Sequence, residues 1–195
     1  HSTAIAGIFG ATACAASLLK LTREQTVNAL GLTGSQASGV AEYLTNSSSA
    51  KCFHAGWAAQ SGIIATCLAK GGMTGPETIF EGRYSLYQTH GLREKAHPEQ
   101  VAQDLGNVWQ FMNVSIKPYP VCHFAHATVD CGRRLLQRGI TLDQIAKVEC
   151  VVDPVAAALI CEPPEQKWAP QSAYAAKFSL PWLFAAGFIE DKLTL

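Results

Sequence analysis

The chain has 195 residues, of which 48% are hydrophobic and only 15% are charged, and its formal net charge is +0. It has no basic run or arm that would indicate nucleic-acid binding, and polar residues interrupt every apolar run before it reaches the roughly eighteen residues of a membrane span. The low charge and the 16 glycines predict closely packed helices that associate with further protein.

The first part of the chain predicts a layer of α-helices. Apolar side chains at helical spacing among small residues predict a first helix over residues 1–20. Thr22-Arg-Glu-Gln25 has the pattern of a capping box and opens a second, short helix, which Gly31 and Gly34 are expected to end. A third helix is predicted from Ala55 to Lys70, where a glycine pair follows.

The middle of the chain predicts a change to a small α+β unit. Proline and glycine punctuate residues 75–107, where one helix is predicted from about Pro98 to Leu105. Val114–Ile116 reads as a strand, His126–Arg138 as an amphipathic helix, and the alternating segment Ile145–Val152 as a second, half-buried strand. Strand, helix and strand in this order are typical of an α+β arrangement.

The end of the chain predicts an apolar closing helix. A proline-rich connector runs from Cys161 to Pro170, and Ser172–Phe188 is rich in aromatic and aliphatic residues. Pro181 suits the first turn of a helix, where its missing N–H costs little. We expect this segment to pack back onto the helical layer.

The cysteines and the first residue bear on the compartment. The seven cysteines are odd in number, lie in apolar, alanine-rich segments and include no Cys-x-x-Cys pair. The pattern therefore predicts neither a zinc site nor an iron–sulfur cluster, and it indicates a reducing, cytoplasmic compartment. The chain opens on His1 without the charged and apolar regions of a signal peptide, so none is expected.

Two clusters combine lysine with histidine. Lys51 and His54 are three residues apart, which places both on one face of a helix. Lys117 is followed by two prolines, which exclude a helix there, and then by Cys122-His123. A lysine can hold a carboxylate, and a neighbouring histidine can move a proton near neutral pH. The clusters predict a pocket for a small polyanionic acid; the alternative is that these are ordinary surface side chains.

The sequence resembles the MmgE/PrpD family, which includes 2-methylcitrate dehydratase, cis-aconitate decarboxylase and iminodisuccinate epimerase. The resemblance rests on motifs spread over nearly the whole chain. They are His1-Ser-Thr-Ala with Phe9-Gly10, Ala29–Gly39, Lys51-Cys-Phe-His-Ala-Gly-Trp57 through Gly62, Lys117-Pro-Tyr-Pro-Val-Cys122 through His126, and Ala176-Lys-Phe-Ser-Leu-Pro-Trp182.

The resemblance implies a mostly α fold, with a large all-helical domain and a smaller α+β lid. Residues 1–106 would be part of the helical domain, residues 107–165 part of the lid, and residues 166–195 a segment returning to the helical domain. It also implies a homodimer with the active site between the two domains. Family members are about twice as long, so the chain resembles the later part of one.

The resemblance further implies roles for individual residues. His1 matches the histidine that opens the family's active-site helix, and Lys51 and Lys117 match two lysines that line the pocket. His126 falls on a recurrent lid histidine. Cys122 and His123 lie where members vary, so they are expected to influence substrate choice; His54 is a second candidate for proton transfer. This chain differs in two respects: the earlier helical region that supplies an aspartate and another histidine is absent, and Trp182 replaces a frequent tyrosine.

The implied chemistry is that of a lyase without cofactor or metal, acting on a small di- or tricarboxylate. Dehydration needs a base beside a carboxylate and an acid for the leaving hydroxide, whereas decarboxylation needs only an acid to protonate the resulting carbanion. Negative charge grows in both, so Lys51 and Lys117 are assigned to carboxylate binding and charge stabilisation, and His1 to proton transfer. An epimerase-like isomerase and a non-catalytic subunit serving assembly only are the alternatives.

Overall fold

The computed structural model describes residues 1–46, 48–91, 93–190 and 193, and over these residues the chain is mostly α-helical. The chain divides into two compact units. Unit 1 consists of residues 1–41 and 49–113, and unit 2 of residues 42–48 and 114–195. The mostly helical character predicted from the sequence is confirmed, and each unit is described below by itself.

The α-helices are numbered in chain order. Unit 1 contains α1 (Ser2–Leu18), α2 (Arg23–Gln36), α3 (Ala50–Lys70) and the short α4 (Leu86–His90). Unit 2 contains α5 (His126–Gln137), α6 (Pro154–Ile160), α7 (Pro164–Trp168), α8 (Ala173–Ala176) and α9 (Leu180–Ile189). Short 3₁₀ turns lie at Glu42–Leu44, Arg93–Lys95, Pro98–Gln100, Gln110–Asn113, His123–Ala125 and Leu142–Gln144.

Small residues let α1, α2 and α3 pack closely in unit 1. A Cβ added to Gly62 of α3 would lie 2.7 Å from the Cβ of Ala11 and 2.8 Å from the nitrogen of Thr12, so α1 approaches almost to backbone contact. Three fully buried threonines, Thr12, Thr33 and Thr66, line this interface. The hydroxyl oxygens of Thr12 and Thr33 are 2.7 Å apart, so one hydroxyl can donate to the other. Each hydroxyl also lies within hydrogen-bond distance of the carbonyl one turn earlier in its own helix. Both buried hydroxyls therefore have hydrogen-bond partners.

The loop after α3 is attached to α2. The Gly75 N–H donates to Oδ1 of Asn28 over 3.0 Å. A Cβ on Gly31 would lie 2.6 Å from the nitrogen of Pro76, so only a residue without a side chain allows this approach.

Unit 2 is built on the crossing of α5 and α9. Its core contains Tyr119, Val121, Ala125, Val129, Ile160, Leu180 and Leu183. Two glycines face each other at the crossing: a Cβ on Gly132 would lie 2.7 Å from the carbonyl oxygen of Phe184, and a Cβ on Gly187 would lie 2.7 Å from that of Val129. Backbone therefore packs on backbone, and neither position has room for a methyl group.

We expect Gly132→Ala to lower the free energy of unfolding by about 1–3 kcal/mol, because the new methyl group must push α9 away from α5. Gly10→Ala is the matched control, since a Cβ there meets nothing within 4 Å and alanine is the better helix former by about 1 kcal/mol. Urea unfolding followed by circular dichroism measures both. Equal unfolding midpoints for the two variants would contradict the close crossing.

The structure corrects the predicted strands. Neither Val114–Ile116 nor Ile145–Val152 forms a strand in the described part of the chain. Alternation alone does not make a strand, because its N–H and C=O groups need a paired neighbour, and these two segments do not pair with each other. The α+β lid is therefore not seen here.

The predicted helix ends need three further corrections. Helix α2 does not end at Gly31 or Gly34, because packing of both glycines against the segment after α3 favours continuation of the helix. Helix α3 begins at Ala50, five residues before the predicted start. The helix predicted over Pro98–Leu105 is only a 3₁₀ turn at Pro98–Gln100.

Other predicted elements are confirmed. Thr22 and Gln25 form the complete capping box, α5 begins at His126, and Pro181 lies in the first turn of α9. None of the helices in residues 1–46, 48–91 and 93–190 is both long and apolar enough to cross a membrane. The return of residues 166–195 to the helical domain stays a prediction, as does the division at residues 106 and 165; in the structure, α9 packs on α5 within unit 2.

Candidate functional site

Two histidines meet in unit 1. His1 precedes the first turn of α1, and His54 lies on the second turn of α3 with only 7% of its surface exposed. Their Nδ1 atoms are 3.0 Å apart, and their ring centroids are 5.0 Å apart at an angle of 40°. A contact between two Nδ1 atoms needs one ring to donate and the other to accept, so at least one imidazole is neutral.

Gly39 closes over this pair of histidines. Its carbonyl accepts a hydrogen bond of 2.6 Å from the main-chain nitrogen of His1. Its φ of +109° favours glycine, and a Cβ would lie 2.6 Å from that of Ala4 and 3.6 Å from the ring of His54. The end of the Ala29–Gly39 motif therefore fixes the entry into α1 beside His54.

Lys51 lies in the first turn of α3 and is half-buried. It stands three residues before His54, so both side chains share one face of the helix, as the sequence predicted. The N-terminal end of a long helix carries partial positive charge, and the Lys51 ammonium adds to it. The beginning of α3 therefore offers a positive potential next to the two histidines.

Lys117 belongs to unit 2, where its Nζ donates to the Val121 carbonyl over 3.1 Å. Pro118 and Pro120 fix φ on either side of Tyr119, which is buried. The main-chain N–H of Cys122 donates to the Lys177 carbonyl over 2.9 Å. The motif is thus a rigid turn, held by the side chain of Lys117 and by the main chain of Cys122.

His126 opens α5 and is 9% exposed. Burial lowers its pKa below the ordinary 6.5; the charges of His123 and Lys117 add to this, while the Val121 carbonyl and Asp130 oppose it. Since the unfolded chain binds this proton more readily, the stability from the neutral ring is complete above about pH 6.5 and is lost as the pH falls through the folded pKa.

The remaining predicted residues, Cys122 and His123, lie on the same turn as His126. Cys122 is half-buried and packs against the core of unit 2, whereas His123 is exposed. The His123 and His126 rings are 5.3 Å apart at 45°. Their roles in contacting a substrate stay predictions.

The structure thus brings the predicted residues together as two groups. His1, Lys51 and His54 form one group in unit 1, and Lys117, Cys122, His123 and His126 form the other in unit 2. That both groups serve one pocket stays a prediction. Sequence analysis did not single out Tyr119 or Asp130. The signal that could have found Asp130 is its spacing, four residues after His126 and so on the same face of α5.

Sequence comparison identifies two parts of one protein family in the chain. The MmgE/PrpD N-terminal domain matches residues 1–99, and the MmgE/PrpD C-terminal domain matches residues 119–195. The matched regions contain all the residues of both groups except Lys117, which lies two residues before the second region.

Curated relatives come from fungi. The chain is 26% identical over 207 residues to a cis-aconitate decarboxylase of Aspergillus terreus, an alignment that covers all of this chain and 41% of that protein. It is 27% identical over 140 residues to the cis-aconitate decarboxylase-like protein oryM of Aspergillus oryzae, covering 69% of this chain and 29% of that protein. The chain therefore spans at most about two fifths of the length of these relatives.

Proposed function

The chain belongs to the MmgE/PrpD family, and from this premise and its two groups of side chains we propose that it serves a cofactor-independent lyase acting on a small di- or tricarboxylic acid. The observation that carries the proposal is the contact of 3.0 Å between Nδ1 of His1 and Nδ1 of His54. Lys51 shares the first two turns of α3 with His54.

The histidine pair suits a reaction that both removes and returns a proton. When both rings are neutral, one carries its proton on Nδ1 and the other on Nε2, so the pair offers one basic Nε2 and one acidic Nε2–H. His1 is our candidate for the group that exchanges the proton with the acid. His54, which is buried, fixes the tautomer of His1.

The lysines supply the charge that such a reaction needs. Removal of a proton beside a carboxylate, or loss of CO2, leaves an electron pair on a carbon next to groups that are already anionic. Fixed cations stabilise this charge most where water is excluded. We assign Lys51 and Lys117 to binding the carboxylates and to this stabilisation.

Two lyase reactions fit these groups. In dehydration, His1 would take the proton next to a carboxylate, and an acid would protonate the departing hydroxyl group. In decarboxylation, the C–C bond to CO2 breaks, and the acid form of the pair would protonate the carbanion. The names of the fungal relatives support the second reaction.

A role in assembly alone is the second candidate. Several large apolar side chains lie open to solvent within the described residues, among them Ile116 at 93% and Val151 at 96% exposure. Such side chains favour association with more protein, which also agrees with a homodimer. This candidate predicts a protein that binds no polycarboxylate.

A proton-NMR screen tests the proposal. The chain would be incubated separately with 2-methylcitrate, citrate, cis-aconitate and iminodisuccinate, and spectra would be recorded over time. New vinylic or methylene signals report elimination or CO2 loss and support the lyase. Inversion of iminodisuccinate alone would favour the epimerase-like isomerase. Neither turnover nor binding of any acid, with the fold intact, would contradict the proposal and favour the role in assembly.

A further inference from the structure

The ring of His126 has one buried atom that lacks a partner. Its Nε2 is inaccessible to solvent and makes no hydrogen bond, one of few such side-chain atoms among the described residues. The Val121 carbonyl favours a proton on the ring. Since Nε2 is buried without a hydrogen-bond partner, we assign that proton to Nδ1. An imidazole that donates from Nδ1 is left with a bare acceptor at Nε2.

Two side chains of α5 hold Tyr119, whose ring packs against His126. The Tyr119 hydroxyl donates to Oδ1 of Asp130 over 2.5 Å and accepts from Nη1 of Arg133 at 3.5 Å. The guanidinium of Arg133 also lies over the Tyr119 ring, 5.8 Å from its centroid. Tyr119 is thus held at its hydroxyl and at one face, and the flanking prolines fix its backbone.

The held tyrosine meets the histidine ring edge-on. The Tyr119 and His126 centroids are 5.5 Å apart, and the planes are at 88°. His126, Asp130 and Arg133 occupy positions i, i+4 and i+7 of α5 and so lie along one face of the helix. The Tyr119 side chain therefore runs along this face of α5, with its ring against His126 and its hydroxyl at Asp130.

We propose that Tyr119, Asp130 and Arg133 are positioning residues that hold His126 as a neutral imidazole, protonated on Nδ1, with Nε2 kept as a hydrogen-bond acceptor. Nε2 is closed to solvent in this arrangement, so the inference concerns the state of the ring and does not rest on the proposed function. The arrangement of the four side chains is a property of unit 2 itself.

The charged neighbours decide how the ring responds to pH. Burial is the main cause that disfavours a proton on His126, and His123 and Lys117 add to it, while the Val121 carbonyl and Asp130 favour the proton. The edge contact with Tyr119 is part of that burial. Tyr119 itself stays a phenol, because its hydrogen bond to Asp130 raises its pKa. Releasing Tyr119 should admit water to His126, so the ring should protonate more readily and lose its single tautomer.

The test uses the full chain with ¹⁵N-labelled histidine. The wild type should show His126 as the Nδ1–H tautomer with a pKa below 6.5. Tyr119→Phe keeps the ring but removes the tether, and it should populate both tautomers and move the pKa towards 6.5. Asp130→Ala removes the acceptor of the tyrosine bond and should also mix the tautomers. His126→Gln assigns the signal.

Tyr174→Phe is the matched control, because it removes a phenol hydroxyl elsewhere in unit 2 and should leave His126 unchanged. Circular dichroism reports whether a variant is folded. The proposal is overturned if folded Tyr119→Phe and Asp130→Ala keep both the wild-type tautomer and the wild-type pKa of His126. This readout needs no substrate, so its failure is separate from a failure of the lyase assay.

Discussion

Replacing Lys51 with alanine should lower kcat/KM for the polycarboxylate by about 100- to 1000-fold, the loss typical when one fixed stabilising group is removed from an anionic transition state. Lys51 lies in the first turn of α3, three residues before buried His54. Its removal takes away a cation where negative charge is expected to grow. Initial rates over a range of acid concentrations separate the loss in kcat from the rise in KM.

Lys70→Ala is the control for Lys51→Ala. Lys70 is exposed in the last turn of the same helix, so its replacement removes the same charge from the chain without touching the proposed site. Turnover should stay at the wild-type rate. Lys51→Arg keeps the charge on a bulkier, planar group and should recover only part of the activity. Equal rates for Lys51→Ala and Lys70→Ala would show that Lys51 has no part in the reaction.

Replacing Lys167 with alanine should lower the free energy of unfolding by about 3–5 kcal/mol, because it leaves buried groups without their partner. Lys167 is 5% exposed, and its Nζ donates to the carbonyls of Leu159 and Phe178, both at 3.0 Å. One side chain therefore joins the end of α6 to the segment before α9. Burial lowers the pKa of Lys167 below 10.5, which is the mark of a structural lysine removed from water.

Two further variants define what Lys167 contributes. Lys167→Met keeps the apolar stem and loses only the two hydrogen bonds, so it should cost less, about 2 kcal/mol. Lys147→Ala removes an exposed lysine of the same unit, whose ion pair with Glu149 is open to solvent, and should change stability by under about 1 kcal/mol. Urea unfolding of the three variants measures the differences. A midpoint for Lys167→Ala as high as that for Lys147→Ala would contradict the role.

The helices could be predicted where local chemistry decides them. The capping box of Thr22 and Gln25 depends on neighbouring residues alone, and so does the proline in the first turn of α9. The course of α2 could not be predicted, because its continuation through Gly31 depends on contact with Pro76, far along the chain. The predicted strands failed for a related reason: alternation shows which face is apolar but not whether a partner strand is present.

In the candidate site, too, local spacing could be predicted and contacts between distant residues could not. The spacing of Lys51 and His54 was enough to place both on one helical face. The contact of His54 with His1 could not be predicted, because the two residues are 53 positions apart and only the fold brings them together. Nothing in the sequence indicated that Lys167 is buried. It lies between a proline pair and a tryptophan, and a lysine is expected to be exposed.

The bond from the Gly75 amide to Asn28 has a consequence for how unit 1 opens. It ties the loop that follows α3 to the middle of α2, and Gly31 and Pro76 meet beside it. Unfolding of α3 from its C-terminal end would have to break this hydrogen bond as well as those of the helix. Partial unfolding therefore has no easy starting point here, and α2 and α3 are expected to exchange their amide protons as one cooperative block.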